Sequence, residues 1–392
     1  MRRWAPLALF LGTLVVAAAV GEGVLRWAQP WLALPRFRPG GYLDEQLHHR
    51  YPPNARMHDR FGLARYEVST NEDGLRSGWT REAFRAQSVR VAVLGDSFAF
   101  GYGLPVEQTF EVGLERSLRA ARGRDDVAVL NAGIITYSPL LARALFEDVV
   151  HAYQPTMTLL LLDISDVADD QMYGGQRAAP GKARRFAIEP QPFPDSALRH
   201  LALWNAATPL QRWIRRVRPA PPPRGRRPGR IEVAGEVQRD HFFVMRHPLE
   251  ATRSYFDAMR ANIDALALSV REAGSDFALV VGPRHVHWDA SESPGNPEAD
   301  RYGKDATWHG EYIRYFQEVA RELDYPVVEL LPAFRASQTR PLVFDHDPHW
   351  NADGHAVVAD VLTRFLRTRS GASATIRAAS VVDAAARPEV GQ

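Results

Sequence analysis

Gly95-Asp96-Ser97-Phe98-Ala99-Phe100-Gly101-Tyr102-Gly103 sets a serine directly after a β-branched apolar run, where a strand turns into a helix. The positive end of that helix stabilises charge as a hydroxyl loses its proton, which makes Ser97 a candidate nucleophile. The competing structural role is that Ser97 caps the helix while the glycines serve a tight turn. Ala99 stands where a G-x-S-x-G elbow needs its second glycine, and no lysine follows to complete a phosphate loop. A nucleophilic serine needs a base, and Asp345-His346-Asp347-Pro348-His349 follows the last apolar run. An imidazole must take the serine proton while a carboxylate fixes its tautomer, so we take His349 as base and Asp347 as its orienter. Asp345 and His346 are second choices. Asp353-Gly354-His355 reads as the start of the final helix, with Asp353 as its cap. The chain of 392 residues has no cysteine, so disulfides, thiolate zinc sites, iron–sulfur clusters and cysteine nucleophiles are excluded.

His285, His287 and Asp289 form a second cluster. Their spacing could suit a metal, but the sequence names no third ligand. Packing, or a pocket rim shared with Arg284 and Trp288, is the better expectation, and neither a metal nor a cofactor is expected.

The elements that must position these groups follow from five aliphatic runs: Val89–Leu94, Val127–Leu130, Thr156–Leu162, Phe277–Val281 and Val327–Leu330. They alternate with helically spaced segments at Val106–Arg122, Leu249–Ala273, Glu311–Leu323 and Ala352–Leu366. Continuous apolar strands separated by helices imply a parallel sheet covered on both faces, with ligands beyond the strands' carboxyl ends. Composition agrees, at 45% hydrophobic and 24% charged residues.

Gly95-Asp96-Ser97, Asn131-Ala132-Gly133, Asp163-Ile164-Ser165-Asp166 and Asp347-x-His349, each after an expected strand, resemble the ordered blocks of the SGNH/GDSL hydrolase superfamily. The membrane-anchored bacterial branch, similar to alginate O-acetyltransferase-type proteins, is the nearest match. It shares Glu22-Gly23-Val24-Leu25-Arg26, Asn71-Glu72-Asp73-Gly74-Leu75-Arg76 and Tyr137-Ser138-Pro139. The resemblance implies a flavodoxin-like three-layer α/β/α fold with about five parallel strands, and a Ser97, His349, Asp347 triad acting on esters. It also implies an oxyanion hole from the N–H groups of Ser97 and Gly133. The third block departs from the usual Gly-x-Asn-Asp, so Ser165 stands where an asparagine would donate.

Arg2 and Arg3 precede an apolar run from Trp4 to Val20, which reads as an export segment. Seventeen helical residues reach roughly 25 Å, slightly short of the ~30 Å hydrocarbon core. Trp27 and Trp31 at interfacial depth favour a retained anchor over a cleaved signal, with the body outside the inner membrane on the periplasmic side. The expected organisation is an anchor over 1–30, a lead-in over 31–88, the hydrolase-like domain over 89–368 and a disordered tail over 369–392. An Arg/Pro-rich insertion occupies about 167–240. Net charge is only +2, yet eight arginines lie between Arg212 and Arg230 without an acid; without them 40 basic residues face 46 acidic ones. Anionic lipid or polysaccharide is the partner expected there, and export argues against nucleic acid. The expected function is an ester hydrolase acting on an acylated envelope carbohydrate or lipid. The alternatives are an O-acetyltransferase using the same triad and a catalytically silent carbohydrate-binding scaffold.

Overall fold

The computed structural model describes residues 4–62, 64–176, 185–188, 190, 191, 193, 200–206, 231–238, 241–296 and 307–370. The arginine cluster between Arg212 and Arg230 and the tail from 371 on lie outside these residues.

Residues Ala5–Ala28 form helix α1, whose side chains are largely exposed and whose segment Pro6–Ala28 has a mean hydropathy of 2.0. By length and composition it is able to cross a membrane. The lead-in then folds as two antiparallel hairpins, β1 (Tyr42–Asp44) with β2 (His48–Arg50) and β3 (Arg56–Phe61) with β4 (Ala64–Ser69), followed by helix α2 (Arg81–Arg85). Met57, Phe61, Tyr66 and Val68 of the second hairpin are buried in the same core as Phe100.

Strand β5 (Val89–Gly95) leads into the short helix α3 (Ser97–Phe100), then α4 (Phe110–Arg122) and β6 (Val127–Gly133). Helix α5 (Pro139–Asp148), β7 (Met157–Leu162) and α6 (Asp166–Gly174) follow, then α7 (Ala202–Ala206) and a hairpin of β8 (Ile231–Val233) and β9 (Glu236–Gln238). The long α8 (Leu249–Glu272) returns the chain to β10 (Asp276–Val281), α9 (Glu311–Val319), β11 (Val327–Glu329) and α10 (Leu331–Ala336). Strands β12 (Val343–Phe344) and β13 (Asp347–Trp350) pair before the final helix α11 (Ala352–Ser370).

The central sheet has five parallel strands in the order β11-β10-β7-β5-β6. Alternate side chains of each strand serve opposite layers, as the pleat requires. Val91, Val93, Leu159, Leu161 and Val280 join α4, α10 and α11, whereas Ala92, Leu94, Leu160, Leu162 and Leu279 join α5, α8 and α9. The fold is therefore a three-layer α/β/α sandwich. From β5 the chain goes to β6 on one side and to β7 on the other, so the carboxyl end of β5 is a topological switch point, where such sheets bind ligands. Ser97 stands there.

Candidate active site

Gly95 ends β5 at φ +148°, and a Cβ there would lie 2.7 Å from the Leu161 carbonyl oxygen and 2.9 Å from Ala99 Cβ. Only glycine lets the chain turn so tightly against β7. Asp96, not Ser97, then caps α3, its Oδ1 accepting from the Phe98 N–H at 2.8 Å. Ser97 is thereby left as the first helical residue, its hydroxyl making no more than a 3.4 Å contact to Asp96 Oδ2 within its own turn. From the far end of the chain, β13 brings His349, whose Nε2 lies 2.7 Å from Ser97 Oγ. The Nδ1–H of His349 donates to Asp347 Oδ1, which also accepts the His349 backbone N–H at 2.9 Å. With Nδ1 the donor, Nε2 is the acceptor for the serine proton.

The second choices do not join this geometry. Asp345 and His346 are exposed, and the His346 ring packs on Phe61 at 5.3 Å. The final helix is capped by Asn351 rather than Asp353: Asn351 Oδ1 accepts the N–H groups of Asp353 and Gly354, both at 3.0 Å. His355 is buried, its Nδ1 accepting the Phe110 N–H at 3.0 Å and so capping α4.

Electrostatics favour a base at His349. Burial acts to lower its pKa, but the charge and hydrogen bond of Asp347 outweigh burial and hold it above the ordinary value. Burial would raise Asp347, and the imidazole together with Arg284 keeps it below the usual carboxylate range. Asp96 is pushed up to about 7 by burial and by the charge of Asp163. Asp163 is buried too, but Arg284 holds it ionised below its usual value. Arg284 Nε and Nη2 reach Asp163 at 2.9 and 2.6 Å, and the guanidinium lies 5.3 Å above the Phe98 ring.

The oxyanion donors implied by the resemblance are differently engaged. The Gly133 N–H donates to Asn131 Oδ1 at 3.0 Å. A Cβ at Gly133 would lie 2.4 Å from the Phe100 nitrogen, so this glycine's evident duty is to let α3 rest on β6. Ser165 gives its one hydroxyl proton to Asp163 Oδ2 at 2.6 Å and its N–H to the same oxygen at 3.0 Å. Ser97's own N–H lies in the first turn of α3, where a helix has no internal acceptor.

In the second cluster, His287 is tied to backbone at both ring nitrogens, accepting from the Arg284 N–H at 2.9 Å and donating to the His309 carbonyl at 2.9 Å. Burial pushes it and His285 down to about 4, so both are neutral rings in a packed turn. Trp288 packs on Phe334 at 4.8 Å. A cavity of about 470 Å³, lined by Val89, Met157, Asp276 and Leu366, opens at the opposite, amino ends of the strands and holds no member of the Ser97 group.

Sequence inspection missed the walls of the site. The Phe98 and Tyr102 rings lie 4.7 and 5.3 Å from the His349 imidazole. They lie one and five positions after Ser97, within the same Gly95–Gly103 stretch, which was the available signal.

No family model matches the chain, and no curated protein matches its sequence. Several solved structures do align with it. One is a putative lipolytic protein of the G-D-S-L family from Desulfitobacterium hafniense DCB-2, at 13% identity and TM-score 0.36, covering 70% of this chain and 97% of that one. TesA aligns at 14% identity and TM-score 0.38, over 71% and 98% of the respective chains. The acetylxylan esterase Axe2 from Geobacillus stearothermophilus aligns at 14% identity and TM-score 0.37, over 72% and 95%.

Proposed function

We propose that the chain is a serine ester hydrolase held at a membrane by α1. The observation that carries this reading is the line Ser97 Oγ, His349 Nε2, His349 Nδ1, Asp347 Oδ1, with 2.7 Å across its first link. In it, His349 Nε2 removes the hydroxyl proton as Ser97 Oγ attacks the acyl carbonyl. The tetrahedral intermediate collapses, the imidazolium returns the proton to the departing alcohol, and an acyl-Ser97 remains. Water, deprotonated by His349, then attacks the acyl carbon, and Ser97 leaves with the proton as the acid is released. We assign the Ser97 N–H as the standing donor to the oxyanion. Gly133 and Ser165 join it only by giving up Asn131 and Asp163, and one such donor is worth roughly 100- to 1,000-fold in rate.

The substrate we assign is an O-acylated carbohydrate or lipid of the envelope, on the extracytoplasmic side that the arginines preceding α1 favour. A fluorophosphonate probe tests the chemistry: labelling is expected on Ser97 and is lost in Ser97→Ala and His349→Ala. Correctly folded protein that does not label would instead be a silent binding scaffold. With an activated acetyl ester, faster consumption in the presence of an oligosaccharide, together with acetylated sugar, would reassign the second step to a sugar hydroxyl in place of water.

A further inference from the structure

Arg76 closes the Asn71–Arg76 motif, which the chemistry above leaves unused. The front of the motif builds a turn. Asn71 Oδ1 accepts the N–H groups of Asp73 and Leu75 at 3.0 and 3.1 Å, and Gly74 lies where a Cβ would fall 2.3 Å from the Tyr51 carbonyl oxygen. The turn delivers Arg76 into the core, where it is 1% exposed. Its Nη1 donates to the carbonyls of Phe100 and Gly101, both at 2.8 Å, and its Nη2 to that of Leu104 at 2.5 Å. The guanidinium lies 4.8 Å over the Phe100 ring and 5.6 Å over Tyr66.

A buried charge without a carboxylate partner is costly. Glu111, an acid within its electrostatic reach, is itself pushed up to about 8 by burial and so is mostly neutral at pH 7. What Arg76 does hold is the carboxyl end of the helix that Ser97 begins, adding short bonds to the Phe100 and Gly101 carbonyls, which the Asn131 amide and the Leu104 N–H reach at 3.5 and 3.2 Å. The same turn is gripped again from β4, as the Gly103 N–H donates to Tyr66 Oη at 3.2 Å and Tyr66 donates to Asp59 at 3.1 Å. Between these grips sits Tyr102, whose N–H donates to the Ser97 carbonyl at 3.1 Å. Its ring is set edge-on to His349 at 68° and braced by Phe61 at 5.1 Å.

We propose that Arg76 is a positioning residue: by holding the carbonyls of Phe100, Gly101 and Leu104 it fixes Tyr102 against His349 and keeps that imidazole aimed at Ser97. The inference rests on the role given to His349 under the proposed function, but its geometry can be read without turnover.

The test is a double-mutant cycle of Arg76→Gln and Tyr102→Ala in the full chain. The first readout is the far-downfield proton resonance of the His349 Nδ1–H, assigned by its loss in His349→Ala; the second is the fluorophosphonate labelling rate. Arg76→Gln is expected to shift or broaden the resonance and to slow labelling by at least ~10-fold, since small displacements of reacting groups carry large rate penalties. In the Tyr102→Ala background the same change should slow labelling less than ~2-fold, because the two residues act in series. Arg76→Lys should recover part of the loss. An unmoved resonance, or an undiminished ~10-fold effect in the Tyr102→Ala background, overturns the proposal. If Arg76→Gln does not fold, Arg76→Met runs the same cycle under the same criteria. A wild-type chain that shows the resonance but does not label would refute the hydrolase reading and leave the Arg76 test readable.

Discussion

Asp347 does two things for His349. It accepts a hydrogen bond from the Nδ1–H, which leaves Nε2 free to accept from Ser97, and its charge keeps the imidazole's affinity for a proton above the ordinary value of 6.5. The base works only when neutral. Activity should therefore rise with pH through an inflection above 6.5 in kcat/KM, and an inflection below that value would contradict the assigned pairing. Asp347→Asn removes the partner that raises the imidazole, so the acid limb should move down while kcat falls on the order of 10⁴-fold through loss of the tautomer. Ser97, Asp347 and His349 were legible because residue type, order and the apolar run before each one restrict the choice. Tyr102 and Arg76 were not legible as parts of the site, and Arg284 was legible only as the rim of the second cluster. Their significance comes from burial and from partners far away in sequence, such as Asp163, 121 positions from Arg284.

At the scale of elements, the five strands match the five apolar runs to within a few residues, because a strand buried on both faces has no polar alternation to blur its ends. The helix caps were less readable. Several residues near each start could accept an N–H, and Asn351 took the place expected of Asp353. The lead-in hairpin β3–β4 was not legible as a hairpin, since Asp59 stands at an inward position between Met57 and Phe61 and breaks the apolar alternation of β3. Two substitutions test how these elements depend on one another. Gly133→Ala forces a Cβ into the Phe100 nitrogen, so α3 must shift; labelling of Ser97 should drop by about 100-fold in protein that still unfolds cooperatively. Asp163→Ala leaves Arg284 buried without its carboxylate and should lower the unfolding free energy by about 3–5 kcal/mol in a urea titration. A loss under about 1 kcal/mol would mean that Arg284 finds water or another acceptor.

For the whole molecule, the decisive element is α1. Leu9, Phe10, Val15 and Val16 are all more than 60% exposed, a contiguous apolar surface of the kind that marks a membrane or protein contact. The full chain is expected to sediment with membranes and to need detergent for release, whereas a chain lacking residues 1–28 should remain in the supernatant and still label at Ser97. Recovery of the full chain without detergent would argue that α1 acts as a cleaved signal or packs elsewhere. Yet α1 does not end as a loose thread. Glu22 accepts the N–H groups of Ala202 and Leu203, Arg26 donates to the His200 carbonyl, and Asn205 donates to the Leu32 carbonyl. Trp31 lies under Arg65 of the second hairpin at 4.5 Å. With α1 in a bilayer, these struts make a bracket in place of a leash. A body on a flexible leash sweeps a hemisphere whose radius grows with the square root of linker length. A bracketed one works at a single altitude, so it meets only what lies within that thin shell above the bilayer.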